Sequence, residues 1–214
     1  MILLNLLLSP IVFADGQTSK LPDPILDYPL AKGPSPQSAV LAGGCFWGMQ
    51  SLFQHVKGVI SVRAGYAGGE SKTANYDRVS SGDTGHAESV EVLYDPEKIS
   101  YGQLLKIYFA VAHDPTQLNR QGPDTGKQYR SEIFAIDGKQ REAAEAYIRQ
   151  LSAAKVYPAE IVTKVSALPA FYPAEPYHQN FARRHPHDPY IVINDLPKLD
   201  HLKVQFPSLF NPAE

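Results

Sequence analysis

A short apolar run, two glycines and the chain's single cysteine stand in immediate succession, and this junction constrains the fold more than any other stretch. Ser38-Ala39-Val40-Leu41-Ala42 is apolar and partly β-branched, which suits a buried strand. Gly43-Gly44 lets the chain turn sharply. Beyond Cys45, Leu52, Phe53 and Val56 recur at helical spacing, and Gly58 is a stop signal, so a helix is expected from about Phe46 to Lys57. Cys45 then sits where a strand ends and a helix begins. Unpaired N–H groups at a helix start carry partial positive charge, which predicts a thiol whose ionised form is favoured. The same place serves a small buried apolar residue equally well.

The rest of the chain alternates in kind. Val59–Ala64 reads as a second strand, followed by a glycine-rich loop from Gly65 to Gly85. From Glu88 to Tyr94 the residues alternate, with Val90, Val92 and Tyr94 on one face, giving a third strand. Ser100-Tyr101-Gly102-Gln103 has the form of a capping box and opens a helix to about Ala112, ended by Asp114-Pro115. After a polar loop, Ser131–Ile136 is a strand, Lys139–Leu151 a periodic helix and Glu160–Val165 a closing strand. From Ser166 the chain is rich in Pro and Tyr, with one short helix expected at Tyr177–Arg183. The order β-α-β-β-α-β-α-β predicts an α/β (α+β) two-layer sandwich. Its core would be a split β-α-β unit, ferredoxin-like, on a mixed and mainly antiparallel sheet, with a long irregular C-terminal segment.

The chain has 214 residues, 43% hydrophobic and 20% charged, so one domain is expected, spanning 38–184, with a tail at 185–214 wrapping it. A net charge of -2 carries no basic excess and argues against nucleic acid. One cysteine excludes an internal disulfide and a cysteine-rich zinc site, and the histidine spacing suggests no metal. Met1–Ala14 is an apolar run of signal-peptide length, too short to span a bilayer, followed by an arm at 15–37. Basic residues are missing before it, Lys20 being the first. Export to the periplasm or beyond is expected; the alternative is a cytoplasmic protein whose apolar extension packs on the domain.

Groups that could work beside Cys45 are few. Glu88 opens the third strand, where a pocket-facing carboxyl could have a raised pKa and donate a proton; a solvated strand-end charge is its commoner role. Tyr76 and Tyr129 lie in loops, and Asp124 in a turn-like stretch; each alone is a weak signal. His86, His113 and His178 could reach a cysteine, and a Cys–His pair would mean hydrolase or transferase chemistry. Phe46 and Trp47 at the thiol can wall an apolar pocket with one polar end. That combination suits a small apolar group on an electrophilic, oxygen-bearing centre.

Gly44-Cys45-Phe46-Trp47-Gly48 resembles the signature of the A-type peptide methionine sulfoxide reductases. Gly65-Tyr66-Ala67-Gly68-Gly69, Gly82-Asp83-Thr84-Gly85-His86-Ala87-Glu88, and Asn119-Arg120-Gln121-Gly122 running on to Gln128-Tyr129-Arg130-Ser131 agree in order and spacing. The resemblance covers roughly Ser38 to Arg184 and implies the family's two-layer α/β core. It implies methionine sulfoxide as substrate, free or in proteins, in the S configuration at sulfur. Cys45 would attack, Phe46 and Trp47 would hold the ε-methyl, and Glu88 would protonate the sulfoxide oxygen. Tyr76 and Tyr129 would hydrogen-bond that oxygen, with Asp124 in support.

One departure follows. Many relatives carry a resolving cysteine near the C-terminus; the tail Lys198–Glu214 has none, and Ser80 and Ser81 stand where some relatives have one. No bound cofactor is implied. A sulfenic acid on Cys45 would be recycled by an external thiol, whether thioredoxin, glutaredoxin or a small thiol such as glutathione. The protein is expected to act as a monomer, without membrane or nucleic acid. Two other classes remain open at this level: a Cys–His hydrolase or transferase, and a non-catalytic module that binds methionine sulfoxide.

Overall fold

Strand β1 (Gln37–Gly43) is buried from Ala39 onward on both its faces, as befits a strand at the centre of a covered sheet. The computed structural model describes residues 21–28 and 36–212. The expected leader Met1–Ala14 and most of the arm 15–37 lie outside the described residues. After β1 come α1 (Phe46–Gln54), β2 (Val59–Ala67), the short α2 (Tyr76–Val79), β3 (Ala87–Tyr94) and α3 (Tyr101–Ile107). The small hairpin β4 (Arg120–Gln121) and β5 (Asp124–Thr125) precedes β6 (Ser131–Ala135), α4 (Gly138–Ala153) and β7 (Lys164–Ala167). β8 (Phe171–Pro173), α5 (Phe181–Arg184) and α6 (Leu196–Gln205) complete the chain.

Six strands form one sheet in the order β7-β6-β1-β3-β2-β8. The inner order β6-β1-β3-β2 is antiparallel throughout, because β3 slips between β1 and β2 and β1 between β3 and β6. That is the expected split β-α-β core. β7 adds parallel to β6, and β8 antiparallel to β2. One sheet face, with Ala39, Leu41, Val90, Val92 and Ile133, shares the main core with Leu52 and Phe53 of α1, Leu104 and Leu105 of α3, and Ala144, Tyr147 and Leu151 of α4. The other face, with Val40, Ala42, Ala67, Ala87 and Phe134, is covered by Leu168 and Phe171.

The capping box at Ser100 is formed in both directions, and the Ser100 hydroxyl also meets Asp27. α3 is shorter than expected. It ends at Ile107 and passes into one π-helical turn, Tyr108–Ala112, which drops Tyr108 and His113 beneath β1. Strand β2 runs three residues further than expected, taking Gly65-Tyr66-Ala67 from the glycine-rich loop, because β3 and β8 pair with those three residues from its two sides. The strand expected at Glu160–Val165 lies at Lys164–Ala167 instead. The β-branched stretch before it is used as a loop: Val162 N–H donates to Pro115 O at 2.8 Å. The tail carries α6, which packs on α1, where only irregular chain was expected. Among the described residues, no helix is long and apolar enough to cross a membrane.

Candidate active site

The end of β1 is held by a buried polar cluster. Tyr108 Oη donates to Ala42 O at 2.7 Å, and Ser131 Oγ lies 2.9 Å from Tyr108 Oη, 2.6 Å from His113 Nε2 and 2.7 Å from Thr163 Oγ1. Burial holds His113 down at about 4, so it stays a neutral member of this cluster. Gly44 then turns the chain at φ +94, where a Cβ would lie 2.6 Å from Gln121 Cγ. Cys45 follows as N-cap of α1, 9% exposed.

Glu88 is the second residue of β3, paired across the sheet with Tyr66 and 3% exposed. Its Oε2 accepts a hydrogen bond from Phe46 N–H at 3.0 Å, so the carboxyl caps the first turn of the helix that Cys45 begins. Burial pushes the carboxyl up to about 8; the Phe46 N–H pulls the other way, and Asp124 adds to the rise. At neutral pH Glu88 is therefore mostly a carboxylic acid.

Cys45 differs from the expected ionised thiol. Burial pushes its thiol well above the ordinary range, the charges of Glu88 and Asp195 push further, and Trp47 N–H and Lys198 oppose them. A helix terminus contributes roughly 0.3–1 kcal/mol, against an effective penalty of several kcal/mol for taking an ion out of water. Desolvation wins, and the resting sulfur keeps its proton.

The tyrosines converge on the same two groups. Tyr76 starts α2, where Asn75 caps the helix and Glu175 Oε1 accepts from Tyr76 N–H at 2.9 Å. Tyr129 ends a 3-10 turn, Lys127–Tyr129. Burial raises both hydroxyls, with Glu88 and Cys45 contributing to each, so both remain proton donors. Asp124 in β5 accepts a hydrogen bond from Tyr190, a residue sequence reasoning missed. Burial raises the Tyr190 hydroxyl also, and the nearby Cys45 charge is the next contribution. The only signal for Tyr190 was one tyrosine in a Pro- and Tyr-rich tail.

Phe46 is buried against Tyr66 and His178, with ring centroids 5.8 and 5.0 Å apart. Trp47 is half-buried and stacks on Phe181 at 3.7 Å, with Tyr190 edge-on at 6.0 Å. Trp47 Nε1–H donates to His178 Nδ1 at 3.1 Å. His178 packs on Tyr76 at 4.4 Å, and burial lowers its pKa, so it is neutral and props the aromatic wall. His86 lies behind Gly69, with Nδ1 accepting from Gly69 N–H at 3.2 Å. The three histidines that could have served a Cys–His pair thus hold other partners. The seven site residues expected from the sequence fall on β3, the start of α1, α2, β5 and the β5-to-β6 connection, and Cys45, Glu88, Tyr76, Tyr129 and Asp124 lie close enough to act on one another's charge.

The family model for peptide methionine sulfoxide reductase matches residues 37–208. The chain belongs to the peptide methionine sulfoxide reductase family. It is 57% identical over 178 residues to a peptide methionine sulfoxide reductase MsrA 2 of Mesorhizobium japonicum, covering 83% of this chain and 91% of the relative. A second MsrA 2, from Synechocystis sp., is 52% identical over 190 residues, 87% of this chain and 88% of the relative. Among solved structures, methionine sulfoxide reductase A of Corynebacterium diphtheriae has TM-score 0.62 and 34% identity, covering 82% of this chain and 90% of that one. Reduced Mxr1 from Saccharomyces cerevisiae has TM-score 0.68 and 30% identity over 76% of this chain and 91% of that one. The enzyme is an oxidoreductase that reduces methionine sulfoxide.

In the reductase, Arg130 carries much of the site's loop structure. Its guanidinium donates to the carbonyls of Gly85, His86 and Lys127 at 3.0, 3.0 and 2.9 Å and to Glu132 at 2.5 Å. It thereby ties the loop that leads into Glu88 to the turn that presents Tyr129. Gly44 is the other backbone constraint. Gly44→Ala would force a side chain into the left-handed region and against Gln121, so a loss of about 1–3 kcal/mol is expected. Urea denaturation measures it, and an unchanged midpoint would show that the turn tolerates a side chain.

Proposed function

We propose that the enzyme reduces the S epimer of methionine sulfoxide, in proteins and as the free amino acid, by attack of Cys45 on the sulfoxide sulfur. The observation that carries this reading is Glu88, buried and proton-bearing, bonded to the first N–H of the helix that Cys45 begins. A sulfoxide oxygen leaves poorly unless protonated, so an acid and hydroxyl donors must surround it. Glu88 gives that proton, Tyr76 and Tyr129 donate hydrogen bonds to the oxygen, and Asp124 fixes Tyr190 beside them. Phe46 and Trp47 take the methyl group. As Sγ attacks, the thiol proton passes to the Glu88 carboxylate, so in the reductase step a thiolate exists only during attack.

The electrons balance. Cys45–SH and the sulfoxide become Cys45–SOH and methionine, two electrons passing from the protein sulfur to the substrate. An external thiol then condenses with the sulfenic acid to a mixed disulfide, releasing water, and a second thiol frees Cys45–SH as the reductant's disulfide. Thioredoxin suits this role because it supplies both thiols; glutaredoxin with glutathione is the other donor class. The apolar run Met1–Ala14 supports export to the periplasm or beyond.

Turnover of the two resolved epimers of methyl p-tolyl sulfoxide with dithiothreitol or thioredoxin tests this. Consumption of the S epimer alone is expected, with a mass gain of one oxygen on Cys45 after one turnover without thiol. Equal consumption of both epimers, or methyl p-tolyl sulfide formed without thiol and with no oxygen retained on the protein, would overturn the reading.

A further inference from the structure

Next to the sulfur lies a charge pair that the chemistry above does not use. Asp195 ends the π-helical turn Ile191–Asp195, just ahead of α6, and is 3% exposed. Lys198 Nζ donates to Asp195 Oδ1 at 3.1 Å, and the other oxygen, Oδ2, is buried without a hydrogen-bond partner among the described residues. The pair fills a notch in α1. A Cβ on Gly48 would lie 2.0 Å from Asp195 Oδ1 and 2.8 Å from Lys198 Nζ. Gly48 is the third residue of α1, whose N-cap is Cys45, so the pair lies against the first turn of the helix that the cysteine begins. The ammonium is thus brought within one helical turn of the sulfur, in a water-poor setting that does little to screen it.

Such a pair is not needed for stability. Burying two charges is expensive, and apolar residues of similar size often do as well or better. Among the described residues, six ionisable side chains act electrostatically on or with Cys45: Glu88 from β3, Tyr76 from α2, Tyr129 from the 3-10 turn, and Tyr190, Asp195 and Lys198 from the C-terminal segment. Lys198 is the cation among them. Glu88 and Asp195 raise the thiol while Lys198 lowers it.

We propose that Lys198, seated by Asp195 in the notch at Gly48, is a positioning residue that acts through Cys45, supplying the positive charge that stabilises its thiolate during attack and on departure from the mixed disulfide. The inference rests on the proposed role of Cys45. Asp195 holds the ammonium in place and tempers it, so the two substitutions act in opposite senses on the thiol.

Thiolate absorbance of Cys45 against pH, measured on the full chain beside kcat/KM for sulfoxide reduction, is the test. Lys198→Met should move the thiol titration up by about one pH unit and lower kcat/KM at pH 7 about tenfold, since a unit of pKa is a factor of ten in thiolate. Lys198→Arg should restore both. Asp195→Asn should move the titration downward, and the double variant Asp195→Asn with Lys198→Met, which leaves no unpaired charge, should return it towards wild type. A titration unmoved in Lys198→Met, or moved the same way by both single variants, overturns the inference, as does a rate loss that only follows a falling Tm. Absence of sulfoxide turnover in the wild type would instead contradict the role of Cys45 itself, so the two failures are distinguishable.

Discussion

Glu88→Gln should lower kcat by about 100- to 10,000-fold, the usual range for removing a positioned acid, and should abolish the alkaline limb of the wild-type profile. The sign follows from the carboxyl's environment. Burial lifts Glu88 from 4.5 to about 8, and the proposed step requires the protonated form, so wild-type activity should fall as pH rises through about 8. The same shift makes a stability prediction of opposite benefit. A carboxyl whose folded pKa is raised stabilises fully below its unfolded pKa near 4.5, and that contribution is lost as pH rises through about 8. Gln stays neutral throughout. The variant should therefore gain stability relative to wild type as pH rises from 5 to 9, by up to a few kcal/mol in urea denaturation. A variant with wild-type activity and the wild-type pH dependence of unfolding would remove Glu88 from its role.

Arg130→Met should be the most damaging substitution away from the reacting groups. It strips donors from three carbonyls and leaves Glu132, 5% exposed, without its cation. Breaking a buried pair in this way costs about 3–5 kcal/mol. kcat should fall with it, because the loop leading into Glu88 and the turn holding Tyr129 lose their common tie. Adding Glu132→Leu removes the stranded charge and should recover part of the stability while leaving kcat low, since the carbonyls remain without donors. If the double variant recovered both, Arg130 would matter only for its charge balance.

The strand-to-helix junction at Cys45 was legible because three independent signals coincide there: an apolar run, two glycines and a helical period. The capping box at Ser100 was legible for the same kind of reason, since its chemistry is local. What depended on distant partners was not. Tyr66 and Ala67 read as loop because their strand character comes from distant partners, β3 on one side and β8, more than a hundred residues later, on the other. Ile161 and Val162 look like strand yet serve a loop, with Thr163 drawn into the cluster under β1. α6 left a readable trace, Pro197 at a helix start and Leu196, Leu199 and Leu202 at helical spacing, that the proline-rich surroundings obscured.

At the site, the sequence motifs picked out residues that the fold places near one another, but not their proton positions. A helix start favours a thiolate, but the fold leaves Cys45 nine-tenths buried beside two carboxyls, which reverses the outcome. Glu88 could equally have been a solvated strand-end charge until Phe46 N–H and its burial were visible. Tyr190, His178, Asp195 and Lys198 come from the C-terminal segment, whose return to α1 no local pattern announced.

Infrared difference spectroscopy of wild type minus Glu88→Gln, taken from pH 5 to 10, tests most directly that the resting site stores its proton on that carboxyl. The difference spectrum should contain the carbonyl stretch of an un-ionised carboxylic acid at pH 7, and that band should fade with a midpoint near 8. A carboxylate signal already present at pH 6, with no acid band to lose, would contradict the account.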